Sequence, residues 1–173
     1  MQDSSQALQA LGAIILYSLI ALNFNKSKLN NIVIDIEAEK DKSAIALAST
    51  VIEEARSKSY DELAQGIDPV SSPSEFTHPS NFGNDGSESS RADFDDFDDY
   101  HGYSWDEETD NGDYEGWIEV CYIADLESKD TCINTQSRFK KMTVNIRYGN
   151  IDPVRYSIDR APVQLEYINS YYH

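Results

Sequence analysis

Ala7-Leu8-Gln9-Ala10-Leu11-Gly12-Ala13-Ile14-Ile15-Leu16-Tyr17-Ser18-Leu19-Ile20-Ala21-Leu22 is apolar on every side of a helix, interrupted only by Gln9, Ser18 and small residues. Crossing a bilayer takes about 20 apolar residues, with a lower limit of about 17. The stretch stands near that limit, and Tyr17 and Lys26 extend its reach by interfacial anchoring and snorkelling. It does not read as a cleavable secretory signal. Met1–Gln6 carry neither Lys nor Arg, and Asn23, Asn25, Lys26 and Lys28 follow where a small-residue cleavage site would stand.

The helical pattern continues beyond this run. Leu29, Ile32, Val33 and Ile36, then Ala44, Ile45, Leu47, Ala48, Val51, Ile52 and Ala55, recur at spacings of three and four, which is one stripe of a helix. Neither Pro nor Gly intervenes between Gly12 and Gly66. The spacing predicts one helix from about residue 3 to about residue 60, roughly 85 Å long. Its first third, about residues 1–25, is suited to a membrane or a filament core, and its second half is amphipathic. A helix this long without caps signals a coiled coil, a membrane span or a polymer rod, and the lack of a sustained heptad argues against the coiled coil.

The chain has 173 residues and a formal net charge of −17, from 31 Asp/Glu against 14 Lys/Arg. Such a balance argues against nucleic-acid binding, which needs clustered Lys and Arg. The charge is concentrated: Asp61–Glu119 holds 18 acidic residues against the single Arg91, whereas the rest of the chain is balanced at 13 and 13. Residues 61–116 form an acidic region dominated by Gly, Pro, Ser, Asn and Asp, which is loop chemistry. Phe76, Phe82, Phe94, Phe97, Tyr100, Tyr103, Trp105 and Tyr114 within it argue for an ordered loop, since true linkers lack aromatics.

From Trp117 the period becomes two. Trp117–Ile123, Lys140–Tyr148, Val154–Ile158 and Val163–Tyr172 read as strands with turn signals between them, an antiparallel meander over residues 117–173. One face of that sheet is expected to pack on the amphipathic half of the helix, giving an α+β head. Cys121 and Cys132 stand in or beside neighbouring strands. They read either as a disulfide closing a short loop or as two buried thiols, and their number is too small for a metal site.

A hydrophobic N-terminal helix, an amphipathic continuation, a loop and an antiparallel sheet together resemble the type IV pilin and pseudopilin architecture. Where pilins carry Glu at the fifth mature position, this chain has Ser5; Met1 and Asp3 are the groups left for an N-terminal charge contact. The segment from Gly86, with Glu88, Ser90 and Arg91, through Phe94-Asp95-Asp96-Phe97-Asp98-Asp99-Tyr100-His101-Gly102 resembles a segment of minor pilins of the mannose-sensitive haemagglutinin class. Tyr114-Glu115-Gly116-Trp117 and Phe139-Lys140-Lys141-Met142-Thr143-Val144 are similar to that class as well.

The resemblance implies a structural subunit of an extracellular filament on the cell surface, a homo-oligomer held in the inner membrane and handled by assembly machinery beforehand. Leu8, Leu11, Gly12, Ile14, Ile15, Leu16, Leu19, Ile20 and Leu22 are the expected polymerisation surface, with Ala7, Ala10, Gly12, Ala13 and Ala21 permitting close helix approach. The alternatives are a minor pilin or pseudopilin, and a membrane-anchored, calcium-dependent adhesin.

Asp93, Asp95, Asp96, Asp98 and Asp99 are hard oxygen ligands at a density that suits Ca²⁺, though no EF-hand loop is present. The other reading is a solvated acidic surface. In either case the alternation predicts Phe94, Phe97 and Tyr100 turned inward and the carboxylates turned outward or sharing ions. His78, His101 and His173 are far apart, and no Ser-His-Asp, Cys-His, phosphate-loop or HExxH pattern occurs, so no enzymatic activity is expected.

Overall fold

The computed structural model describes residues 2–66, 70–84, 86, 88, 90–149 and 161–172, with side chains from Gln6 onward. It divides into two compact units, Met1–Glu39 and Lys40–His173. A single helix, α1, spans Gln2–Arg56. Its last turn closes through tightened bonds from Ser57 N–H to Glu54 O and from Lys58 N–H to Ala55 O, and Arg56 stands where the helix dipole favours a cation.

Among the described residues of the second unit, five strands follow: β1 (Ser104–Thr109), β2 (Gly112–Ile123), β3 (Cys132–Ile133), β4 (Phe139–Tyr148) and β5 (Val163–Ser170). All pairings are antiparallel, in the order β1-β2-β4-β5, with β3 added to β2. Ile118 faces Val144, Val120 faces Met142, and Tyr122 faces Lys140. The alternation of β4 therefore sends Lys140, Met142, Val144, Ile146 and Tyr148 to one face, which is buried. Ala44, Ala48, Val51, Ile52 and Ala55 of α1 cover that face, small residues letting the helix approach closely. Ile45 and Leu47 divide: Leu47 packs at the margin of the core, and Ile45 is exposed. The result is an α+β fold in which the end of a long helix packs on an antiparallel sheet.

One feature differs from the sequence pattern. Residues 104–116 are not loop: β1 and the first half of β2 form a hairpin around Asp110-Asn111-Gly112, with Gly112 at φ 125° in the region that favours glycine. The acidic composition of SWDEET hides a strand whose polar residues face solvent on a sheet edge. Trp105 lies opposite Gly116, and its indole covers the glycine so closely that an added Cβ would stand 2.4 Å from the ring. The expected strand at Val154–Ile158 lies outside the described residues.

Candidate functional site

In the first unit, Leu8, Leu11, Ile14, Ile15, Leu16, Leu19, Ile20 and Leu22 are each more than half exposed. Gly12 lies among them, and a Cβ there would meet nothing within 4 Å. Ser18 Oγ donates to Ile14 O at 2.8 Å, so its hydroxyl is satisfied within the helix and adds no unpaired polar group to an apolar surface. Lys28 Nζ lies 5.0 Å from the Phe24 ring centroid, a cation at the border of the apolar run. The helix is long and apolar enough to cross a membrane. The contact expected of Met1 and Asp3 lies outside the described side chains.

The acidic segment of the second unit corrects an expectation. Phe94, Phe97 and Tyr100 are buried, at 3%, 0% and 0% exposure, but so are Asp96, Asp98 and Asp99, at 1%, 3% and 4%. These three carboxylates do not turn outward. Asp96 Oδ1 accepts the backbone N–H of Asp98 (2.8 Å) and Asp99 (3.3 Å); Asp99 Oδ2 accepts those of Asp95 (3.0 Å) and Asp96 (2.9 Å). The DFDDFDDY segment is thus a self-capped turn whose carboxylates stand in for strand partners. Asp93 and Asp95 remain exposed, Asp93 Oδ2 accepting from Ser90 N–H and Oγ–H. Of the five aspartates expected to share an ion, Asp95 and Asp99 do converge, with Glu88 rather than with the others; oxygens of these three lie within 4.8 Å of one another. Asp96 and Asp98 look elsewhere.

What they look toward is Lys140, the one cation among the described residues on the core face of the sheet. Its Nζ is fully buried and donates to Tyr60 O (2.7 Å), Asp61 Oδ2 (2.8 Å) and Asp98 Oδ1. The rings of Tyr60, Phe82 and Tyr122 surround it at 4.6, 5.3 and 5.5 Å. Asp61 is itself held from both sides, Oδ1 accepting Leu63 N–H and Oδ2 accepting Thr77 N–H. Asp98 meets the side chain of Asp96 as well. Burial, then repulsion from Asp98, pushes the Asp96 carboxyl up to about 8, against the pull of Lys140. Burial likewise raises Asp98, opposed first by Lys140. The phenols of Tyr60 and Tyr122 are raised by the same burial and the same carboxylates.

Neither Lys140 nor Asp61 stands out among the candidate residues of the sequence. The signal was present: Lys140 shares the parity of Met142, Val144 and Ile146, so the strand that buries them must bury it. Arg91, the sole cation of the acidic stretch, pairs with Glu54 of α1 at 3.2 Å, and Tyr100 Oη donates to the same carboxylate at 3.0 Å.

Cys121 and Cys132 form a disulfide between β2 and β3, with Cα atoms 5.7 Å apart. Closing so short a loop is worth about 3 kcal/mol in the chain-entropy account. His101 accepts the Val120 N–H through Nδ1 at 3.0 Å and packs edge-on against Phe82. No protein-family model matches the chain, and neither does a curated protein or a solved structure.

Proposed function

We propose that this chain is a structural subunit of an extracellular, type IV pilus-like filament, polymerising through the apolar portion of α1 and displaying the α+β unit. The observation that carries the reading is the composition of one helix. Its Ala44–Ala55 portion is buried on an antiparallel sheet, whereas Leu8–Leu22 is apolar all round and uncovered. A surface of that kind is stable in a bilayer or against copies of itself, and side-by-side packing of such helices supplies the second environment when the first is left. Gly12 and the neighbouring alanines are the positions at which backbones approach.

The partners on this reading are further copies of the chain, with the membrane and assembly machinery preceding them. Similarity of the Gly86–Gly102 segment to minor pilins favours, as a second reading, a subunit that primes a filament without forming its bulk. Negative-stain microscopy of native material tests the proposal. Filaments lost in Ile15→Asp, with the disulfide and the sheet's circular dichroism retained, are expected. Particles that stay monomeric or micellar at high concentration in the unaltered chain would overturn it. The amount of this chain in sheared fibres separates bulk from priming subunit.

A further inference from the structure

We propose that Lys140 and Asp98 condense to an intramolecular amide, with Asp96 carrying the proton. The inference concerns the second unit alone and does not depend on filament assembly.

A buried lysine is commonly matched by one carboxylate and water. Lys140 is fully buried, faces both Asp61 and Asp98, is walled by three aromatic rings, and has Asp96 hydrogen-bonded to Asp98 behind it. Ionising all four groups would leave surplus negative charge in a place with no solvent, which is costly. The neutral amine is the nucleophilic form of lysine. Asp61 is the less suitable partner, because the donors on its two oxygens besides Lys140 are backbone N–H groups, which cannot give a proton to a departing oxygen. Asp98 instead places an oxygen directly on Nζ and shares a hydrogen bond with a neighbouring carboxyl. Fixed proximity of this kind replaces the encounter that makes amide formation slow between separate molecules.

The step balances without a co-reactant. The Lys140 ammonium passes one proton to the Asp98 carboxylate. The amine lone pair then attacks Asp98 Cγ, forming the C–N bond. Asp96 gives its proton to one Asp98 oxygen and recovers one from the nitrogen. The C–O bond breaks and one water leaves. One ammonium and one carboxylate become a neutral amide, so the buried charge falls by one pair. Burial holds the Asp96 carboxyl above the ordinary carboxylate range, which suits the shuttle.

Mass spectrometry of the reduced, purified full chain tests this. The expected chain is lighter than its sequence by one water. Trypsin should not cleave after Lys140, and should release Ala92–Lys129 joined to Phe139–Lys141. In Asp98→Asn the same joined peptide is expected, ammonia leaving in place of water. In Asp98→Ala, checked for folding by circular dichroism and by its disulfide, it should vanish. Asp96→Asn, which retains an acceptor for the Asp98 and Asp99 N–H groups, should slow its appearance at least tenfold. An unaltered chain at full sequence mass, with cleavage after Lys140, would overturn the proposal. A joined peptide persisting in Asp98→Ala, or joining Ser59–Arg91 instead, would overturn the assignment to Asp98.

Discussion

Asp96 shows how a single buried carboxyl makes stability depend on pH. Its folded-state value is raised from the ordinary carboxylate range to about 8, mainly by burial. Between those values the folded chain holds a proton that the unfolded chain has released, so stability falls as pH rises through the window and levels off above it. Melting temperature of the full chain in detergent should therefore decline from pH 5 to pH 8. Asp96→Asn should flatten the slope, and the slope rather than the absolute temperature is the readout. At Gly116 the constraint is steric. An alanine methyl there meets the Trp105 indole at 2.4 Å, against backbone that cannot retreat from the β2–β4 pairing. Gly116→Ala should cost about 1–3 kcal/mol by denaturant titration.

At the scale of elements, the helix and three strands were legible because each carries an unbroken period. The Ala44–Ala55 stripe and the alternation over Trp117–Ile123 and Met142–Tyr148 leave little choice of element. The β1–β2 hairpin was hidden because Asp106, Glu107 and Glu108 look like loop and act as the polar dressing of an edge strand, a placement that discourages pairing with another sheet. The acidic site was legible only in part. Spacing correctly sends Phe94, Phe97 and Tyr100 inward, but a run of aspartates carries no mark of which oxygens will cap local N–H groups, and nothing local links Asp98 to a lysine 42 residues away. The assembly role proposed for α1 has its own test. Gly12→Leu keeps the apolar run intact, and on insertion scales a leucine itself favours the membrane by about 0.3–0.6 kcal/mol. It should still insert while filaments are lost, because close backbone approach is blocked. An Asp at the same position fails both steps and cannot tell them apart.

For the molecule as a whole, the formal charge of −17 is a poor guide to the surface. Asp61, Asp96, Asp98 and Asp99 lie within, and the acidic face is made by residues such as Asp93, Asp95, Asp106, Glu107 and Glu108. What repeats along a proposed filament is therefore the β1 edge and the start of the DFDDFDDY turn, not the whole stretch. The interior carboxylates serve the fold, tying the chain after α1 and the acidic turn to the central strand β4.

The disulfide has a mechanical consequence. Cys121 and Cys132, 11 positions apart in sequence, withhold the segment between them from any extension of the chain. At about 3.3–3.6 Å per residue, cutting the bond would release roughly 30 Å of contour length when the chain is pulled from its ends. Load transmitted through a Lys140–Asp98 amide would bypass residues 99–139 altogether, and the disulfide with them. Single-molecule pulling should thus find that a reductant adds no length to the unaltered chain and roughly 30 Å to Asp98→Ala. The tension-bearing path would run from the helix through the acidic turn straight into β4, with the hairpin and its disulfide hanging as a slack ring beside it.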